Sequence, residues 1–133
     1  MSQENVETLR QAVDAVNRRD KALWRAACDP EIENIPPRDW PESEPTRGPD
    51  AIWDFYVEAM DSWGTGIYEI TEITEVSHGD LVAHIRGELQ GKVSGAPVIF
   101  SFWQVVKMRN GTAVRIEWFT DRGDALKAVG LAE

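Results

Sequence analysis

The hydrophobic pattern changes its period near Gly64, and this change limits the possible folds more than any other feature. Before it, apolar residues recur every three or four positions, as on one face of a helix. After it, the chain alternates in segments typical of strands, at residues 67–76, 81–93, 98–108 and 112–120. Short turn sequences rich in glycine separate these segments. The second half therefore predicts a long antiparallel meander.

The first half is mainly helical. An amphipathic helix is expected over residues 5–20, because four valine and leucine side chains share one face: Val6, Leu9, Val13 and Val16. Two further helices are expected over residues 20–29 and 49–63, with a brief strand at 31–35 between them. A last short helix follows the meander. This order predicts an α+β fold with helices packed against one face of a curved sheet, and the length predicts one domain, residues 1–133.

The charge excludes several classes of partner. Acidic residues outnumber basic ones 23 to 14, giving a net charge of −9, which repels nucleic acid and anionic membranes. No apolar run approaches the roughly 20 residues that span a bilayer. The N-terminus lacks the pattern of a signal peptide, so a cytoplasmic protein is expected. The single cysteine, Cys28, cannot form an internal disulfide, which fits a reducing compartment.

Alternation divides each long strand into two faces. We expect an inner, concave face built from apolar sets that include Ala83, Ile85, Gly87, Leu89, Ile99, Ser101, Trp103, Val105, Val114, Ile116, Trp118 and Thr120. The outer face is then a mixture of aromatic, amide and charged residues: His84, Arg86, Glu88, Phe100, Phe102, Gln104, Arg115 and Glu117. Segment 98–108 is apolar on both sides, which indicates cover on both. The mixed outer face predicts a homodimer surface.

Four stretches resemble the SnoaL-like family of the nuclear-transport-factor-2-like superfamily. They are "LRQAVDAVNRRDKALWRAACDPEIE", "RGPDAIWDFYVEAM", "HGDLVAHIRG" and "FTDRGDALKAVGL". The resemblance implies a cone-shaped curved antiparallel sheet wrapped around the N-terminal helices and enclosing a pocket. It also implies a homodimer formed through the outer sheet face. The superfamily includes polyketide cyclases, ketosteroid isomerases and epoxide hydrolases, so activity depends on the site.

Two of these activities fit the residues poorly. Aligned by eye with the isomerases, the chain has Ala12, Pro36 and Trp103 near the positions of the catalytic tyrosine and two acids. Each substitution removes a proton donor or acceptor. An epoxide hydrolase needs an Asp–Arg–Asp relay inside the cone, and the inward-facing set offers none.

Asp121 has two interpretations. In a SnoaL-like cyclase, a single acidic residue acts as acid/base in an apolar cavity, and Asp121 at the end of the last strand is a candidate. Alternatively, Asp121 begins the last helix as its N-cap, with Asp124 in a capping-box position. Its strand parity places it on the outer side, and we favour the cap.

His84 is the second catalytic candidate, because histidine changes charge near neutral pH. If the sheet faces were reversed, it would lie inside the cone with Arg86 and Glu88 and could act as acid/base. Otherwise it is an outer-face residue. Two histidines and one cysteine at these positions give no metal-ligand spacing, so no metal and no cofactor are expected.

The expected pocket is rich in aromatic rings. Its predicted lining is Asn34, Trp40, Tyr56, Trp63, Ser101, Trp103, Trp118 and Thr120. Such rings suit a flat apolar ligand, though they also simply fill a core. The sequence therefore predicts a pocket protein that binds a small hydrophobic compound, polyketide-like or steroid-like. The alternative is a cofactor-independent cyclase, isomerase or dehydratase with one acid/base side chain.

Overall fold

The computed structural model describes residues 2–41, 44–91 and 95–131. Its helices are α1 (Ser2–Arg18), α2 (Lys21–Ala27), α3 (Pro49–Trp63) and α4 (Arg122–Ala128). Its strands are β1 (Cys28–Ile35), β2 (Thr46–Arg47), β3 (Thr65–Glu75), β4 (Leu81–Gln90), β5 (Pro97–Arg109) and β6 (Thr112–Phe119). This is the predicted α+β class, with all three N-terminal helices and the meander confirmed.

The strands form one curved, unclosed sheet in the order β2-β1-β6-β5-β4-β3. Strand β1 runs parallel to β6, and the other neighbours are antiparallel. The short strand β2 was not predicted, and β1 begins three residues earlier than expected. Strand β4 ends at Gln90, and positions 92 and 93 of the strand predicted over 81–93 lie outside the described residues.

Helices α1, α2 and α3 cover the concave face of the sheet. Their apolar stripes meet the sheet in a core that contains Leu9, Ile52 and Ile116. A side-chain hydrogen bond links α2 to α3. Trp24 Nε1 of α2 donates to the carbonyl of Pro49 at the start of α3, at 2.8 Å. None of the helices in the described ranges has the length and apolar character needed to cross a bilayer.

Asn17 joins α1 to strand β3. Its Nδ2 donates to the Tyr68 carbonyl at 2.7 Å, and its Oδ1 accepts from the Tyr68 backbone N–H at 2.9 Å. This pair of hydrogen bonds fixes the end of α1 against the strand. It therefore sets the position of the Tyr68 side chain on the concave face.

The predicted faces are right for β4 and wrong for β5. Residues paired directly across antiparallel strands point to the same side, and Phe102 pairs with Ile85 while Gln104 pairs with Trp118. Ile85 and Trp118 face the helices, so Phe102 and Gln104 face them too. Our expected inner set on this strand, Ile99, Ser101, Trp103 and Val105, lies on the outer face instead.

Helix α4 explains why β5 is apolar on both sides. It lies on the outer face of the sheet, where Ala125 and Leu126 pack against Val82 and Val105. Trp103 packs at the margin of this second cluster. The predicted cover on both sides is found near Trp103 and Val105, whereas Ile99 on the outer face is 54 % exposed.

Candidate functional site

An apolar cavity lies between the concave face and the helices. Its volume is about 80 Å³. Four of the six tryptophans contribute to its wall: Trp24, Trp40, Trp63 and Trp118. Within the described part of the chain, its lining contains no aspartate, glutamate, histidine, lysine or arginine. The cavity is therefore suited to an uncharged, ring-shaped occupant.

One wall is held by a buried hydrogen-bond network. Asn34, which is fully buried on β1, accepts two hydrogen bonds at its Oδ1. Tyr56 OH donates at 2.5 Å and Trp118 Nε1 at 2.9 Å. Because an indole N–H can only donate, Trp118 fixes which atom of the amide is the oxygen. The network orients the Tyr56 and Trp118 rings at 89° to each other, with centroids 6.1 Å apart.

Two polar side chains on the wall have an atom without a partner. Gln104 is 5 % exposed and Tyr68 is 6 % exposed, and both line the cavity. Among the described residues, neither Gln104 Oε1 nor Tyr68 OH has a hydrogen-bond partner. Burial raises the pKa of Tyr68 to about 12, so its hydroxyl stays protonated at neutral pH. Buried atoms of this kind are rare in native proteins and call for an explanation.

A wider outer cleft adjoins the cavity. It has a volume of about 620 Å³ and shares part of its lining with the cavity. The shared residues include Trp40 and Trp63, whose rings meet edge to face with centroids 5.5 Å apart. Trp40 also contacts Phe102 edge to face at 5.3 Å. Trp40 and Trp63 line both spaces, and Phe102 lines the cleft.

The structure brings together five of the eight predicted pocket residues. Trp40, Tyr56, Trp63 and Trp118 line the cavity, and Asn34 holds two of those rings from behind. Their part in binding stays a prediction.

The other three predicted pocket residues do not lie at the cavity. Ser101 and Trp103 are on the outer face of β5, because they pair with Arg86 and His84 on the outer face of β4. Thr120 follows the end of β6 and is exposed. These three placements correct the sequence-based expectation.

His84 lies on the outer face, away from the cavity. Its Nδ1 is 2.5 Å from Thr71 Oγ1 and its Nε2 is 2.8 Å from Ser101 Oγ. Its ring also packs on Trp103, with centroids 4.8 Å apart. A bulge in β3 places Thr71 at this position beside Glu72. The reversed-face arrangement that would have put His84 inside the cone is not found.

Asp121 is the N-cap of α4. Its Oδ1 accepts a hydrogen bond from the backbone N–H of Asp124 at 2.8 Å. The side chain is exposed and does not line the cavity. The geometry is the capping arrangement that the sequence favoured, although an acid/base role was the competing interpretation.

Replacing Asp121 separates the two interpretations. We expect Asp121→Ala to lower the free energy of unfolding by about 1 kcal/mol, since the first turn of α4 loses its acceptor. Asp121→Asn keeps an acceptor oxygen and should restore most of that loss. Thermal unfolding followed by circular dichroism measures both. An Asp121→Ala protein as stable as the wild type would contradict the capping role.

Other reactive groups do not form a second site. Cys28 is buried, and desolvation raises the pKa of its thiol to about 12, which keeps it protonated and unreactive. Burial likewise raises the pKa of Tyr56 above its usual range. Among the described residues, no group of three histidine, cysteine, aspartate or glutamate side chains could hold a metal ion.

Phe100 and Gln104 are site residues that the sequence analysis placed on the wrong face. The signal was present in "FSFWQVV", where a lone amide shares its strand face with Phe100 and Phe102. Both faces of that segment are apolar, so alternation alone did not reveal which one meets the helices.

Comparison with protein families gives one match. Residues 9–116 match the model of the SnoaL-like domain, which is more than half of the chain. No curated protein sequence matches the chain significantly.

Solved structures share the fold at low sequence identity. A candidate SnoaL-like polyketide cyclase from Jannaschia sp. CCS1 has a TM-score of 0.77 and 17% identity, over 100% of this chain and 96% of that one. An NTF2-like protein of unknown function from Burkholderia pseudomallei has a TM-score of 0.75 and 22% identity, over 98% and 99%. TerC, co-crystallized with polyporic acid, has a TM-score of 0.76 and 19% identity, over 95% and 97%.

Proposed function

Since the chain belongs to the SnoaL-like domain family, we propose that it binds a small, flat, apolar molecule in the cavity beneath its helices. The observation that carries this proposal is the composition of the cavity wall. It contains four tryptophans and, among the described lining residues, no charged side chain. Aromatic rings set edge to face can hold a planar ligand between them.

The volumes indicate how such a ligand would sit. A cavity of about 80 Å³ is smaller than the roughly 150 Å³ apolar cavity known to admit benzene. The adjoining cleft of about 620 Å³ is within the range of roughly 300–1,000 Å³ for ligand sites. A ligand would therefore place one ring in the cavity and the rest in the cleft, with movement of Trp40 or Trp63 between them.

Binding is favoured over catalysis by the positions of the acid/base candidates. Asp121 caps α4 and His84 lies on the outer face, so neither contacts the cavity. A cyclase, isomerase or dehydratase needs such a group within reach of its substrate. The cyclase alternative would have to use Tyr56 or Tyr68, whose raised pKa values make them poor bases at neutral pH.

The outer face also supports a homodimer, with a composition that differs from the one predicted. Ile67 and Ile99 are 72 % and 54 % exposed, and both flank Glu88 in one row across three strands. Glu88 in turn pairs with Arg86 at 3.3 Å. Two exposed isoleucines beside an ion pair suit an interface between two copies of this chain.

Native mass spectrometry with N-phenyl-1-naphthylamine, a neutral apolar probe, tests the proposal. We expect a one-probe-per-chain adduct with the wild-type protein and with Trp103→Phe, a matched aromatic change on the outer face. Ala59→Phe puts a ring where the cavity meets the cleft and should abolish the adduct while the fold, checked by circular dichroism, is kept.

Two results would contradict this function. One is a wild-type protein that forms no adduct, and the other is an adduct of equal strength in Ala59→Phe. The same spectra give the mass of the assembly. A monomer at micromolar concentration would remove the homodimer from the proposal and leave the binding site intact.

A further inference from the structure

We propose that the ligand carries an uncharged hydroxyl group, as in a phenol or an enol, and that Gln104 binds this group inside the cavity. This inference rests on the proposed function and adds to it the polar chemistry of the ligand. It starts from the two buried polar atoms on the wall that lack a partner, Gln104 Oε1 and Tyr68 OH.

Gln104 is held on the cavity wall by the pairing of its strand. Strand β5 pairs it with Trp118 on one side and Ala83 on the other, so its side chain stands on the concave face. The neighbouring wall is formed by Phe100 and Ile85, which offer no hydrogen-bond donor. An amide oxygen buried without a donor costs free energy in the empty protein. A ligand hydroxyl that donates to it would recover that cost.

Tyr68 carries the second unpartnered group, on strand β3, which β4 separates from β5. Its ring lies against Phe100, with centroids 5.0 Å apart at 89°. The absence of a side chain at Gly87 makes room for it, since a Cβ there would be 3.0 Å from Tyr68 Cδ1. Its hydroxyl both donates and accepts. A ligand hydroxyl has the same two capacities and can donate to Gln104 Oε1, whereas an ether or a ketone can only accept.

Charged ligands are disfavoured by the same wall. A carboxylate or an ammonium entering the cavity would lose its hydration, and no described lining residue offers an opposite charge. The net charge of −9 further opposes an anion. The wall therefore selects a neutral ring with one hydroxyl over its charged relatives.

Four benzene derivatives of similar size test this selection, each followed by fluorine NMR with the intact protein. They are 4-fluorophenol, 4-fluoroanisole, 4-fluorobenzoate and 4-fluorotoluene. We expect 4-fluorophenol to bind about tenfold more tightly than 4-fluorotoluene, the gain from pairing a buried acceptor. We expect 4-fluoroanisole to show no such gain and 4-fluorobenzoate to bind at least about tenfold more weakly than 4-fluorotoluene.

Variants show which residue causes the preference. Gln104→Met keeps the side-chain length without the amide and should make 4-fluorophenol and 4-fluorotoluene bind equally. The control Gln90→Met changes an exposed glutamine at the end of β4 and should leave the preference unchanged. Gln104→Met should also raise the midpoint of thermal unfolding by about 3 °C, because it removes an unpaired buried oxygen.

The outcomes separate this inference from the function beneath it. If 4-fluorotoluene binds and 4-fluorophenol binds no more tightly, in the wild type as in Gln104→Met, the hydroxyl inference is overturned and the apolar binding site stands. Tightest binding of 4-fluorobenzoate would overturn it as well. If no derivative binds, the inference falls together with the proposed function.

Discussion

Replacing Gly64 with alanine is expected to lower the free energy of unfolding by about 4 kcal/mol or more, enough to leave little folded protein. Gly64 ends α3 with φ of 131° and ψ of −165°, a backbone region that essentially only glycine adopts. A Cβ at this position would also lie 2.1 Å from the Gln90 carbonyl oxygen. Since that atom belongs to the backbone of β4, the sheet itself would have to move. Urea unfolding followed by circular dichroism measures the loss.

Gly48 provides a matched control for the backbone part of this effect. It precedes α3 with φ of 91°, and a Cβ there would meet no atom within 4 Å. Gly48→Ala should therefore cost only the conformational strain, about 1–3 kcal/mol. The excess cost in Gly64→Ala measures the clash with Gln90. An equal loss in the free energy of unfolding of the two variants would show that the sheet shifts at Gln90 without a measurable cost.

Replacing Asn34 with leucine is expected to lower the free energy of unfolding by about 3 kcal/mol. The leucine fits the space but accepts no hydrogen bond, so Tyr56 OH and Trp118 Nε1 lose their shared acceptor. Each buried donor left unpaired costs about 1–3 kcal/mol, offset in part because the unpartnered Asn34 Nδ2 is removed too. The indole retains only its longer contact of 3.4 Å to Tyr56 OH. Chemical denaturation at pH 7 measures the change.

The variant Asn34→Asp keeps the acceptor oxygen and replaces the amide by a carboxyl group that can ionise. Its carboxyl oxygen can accept from both donors, so its stability should approach that of the wild type at about pH 4. Burial raises the folded-state pKa of the introduced carboxyl above its unfolded-state value. The free energy of unfolding of Asn34→Asp therefore falls as the pH rises through the folded-state pKa. Asn34→Leu should show no such dependence on pH. An Asn34→Leu protein within about 0.5 kcal/mol of the wild type would mean that the network does not hold the cavity wall.

The sequence predicted the elements of this fold well because their signals are local. The change of period near Gly64 marked the boundary between helices and meander, and strand β4 revealed its faces because only one of them is apolar. The faces of β5 could not be separated in this way. Phe100 and Phe102 on one side, and Trp103 on the other, differ little in hydrophobicity. Their assignment depends on α4, which returns from the end of the chain to cover the outer side.

The same limit explains which parts of the site were predicted. Tyr56 lies on the apolar stripe of α3, which packs against the sheet, so its place on the cavity wall could be predicted from the pattern. Trp40 lies in the loop between β1 and β2. The partner of Asn34 could not be predicted, because Trp118 is 84 positions away in the sequence. Gln104 was placed on the wrong face because both faces of β5 are apolar. Local pattern identifies which residues are buried, but their partners depend on contacts between distant strands.

The contact between Asn17 and Tyr68 has a consequence for the solubility of the protein. Strand β3 is the last in the sheet order, so its outer backbone groups form an open edge. Such edges pair readily with strands of other molecules and lead to aggregation. At Tyr68 the amide of Asn17 occupies both backbone groups, as a neighbouring strand would. Helix α1 thus blocks pairing with a strand of another molecule at Tyr68, which also lines the cavity.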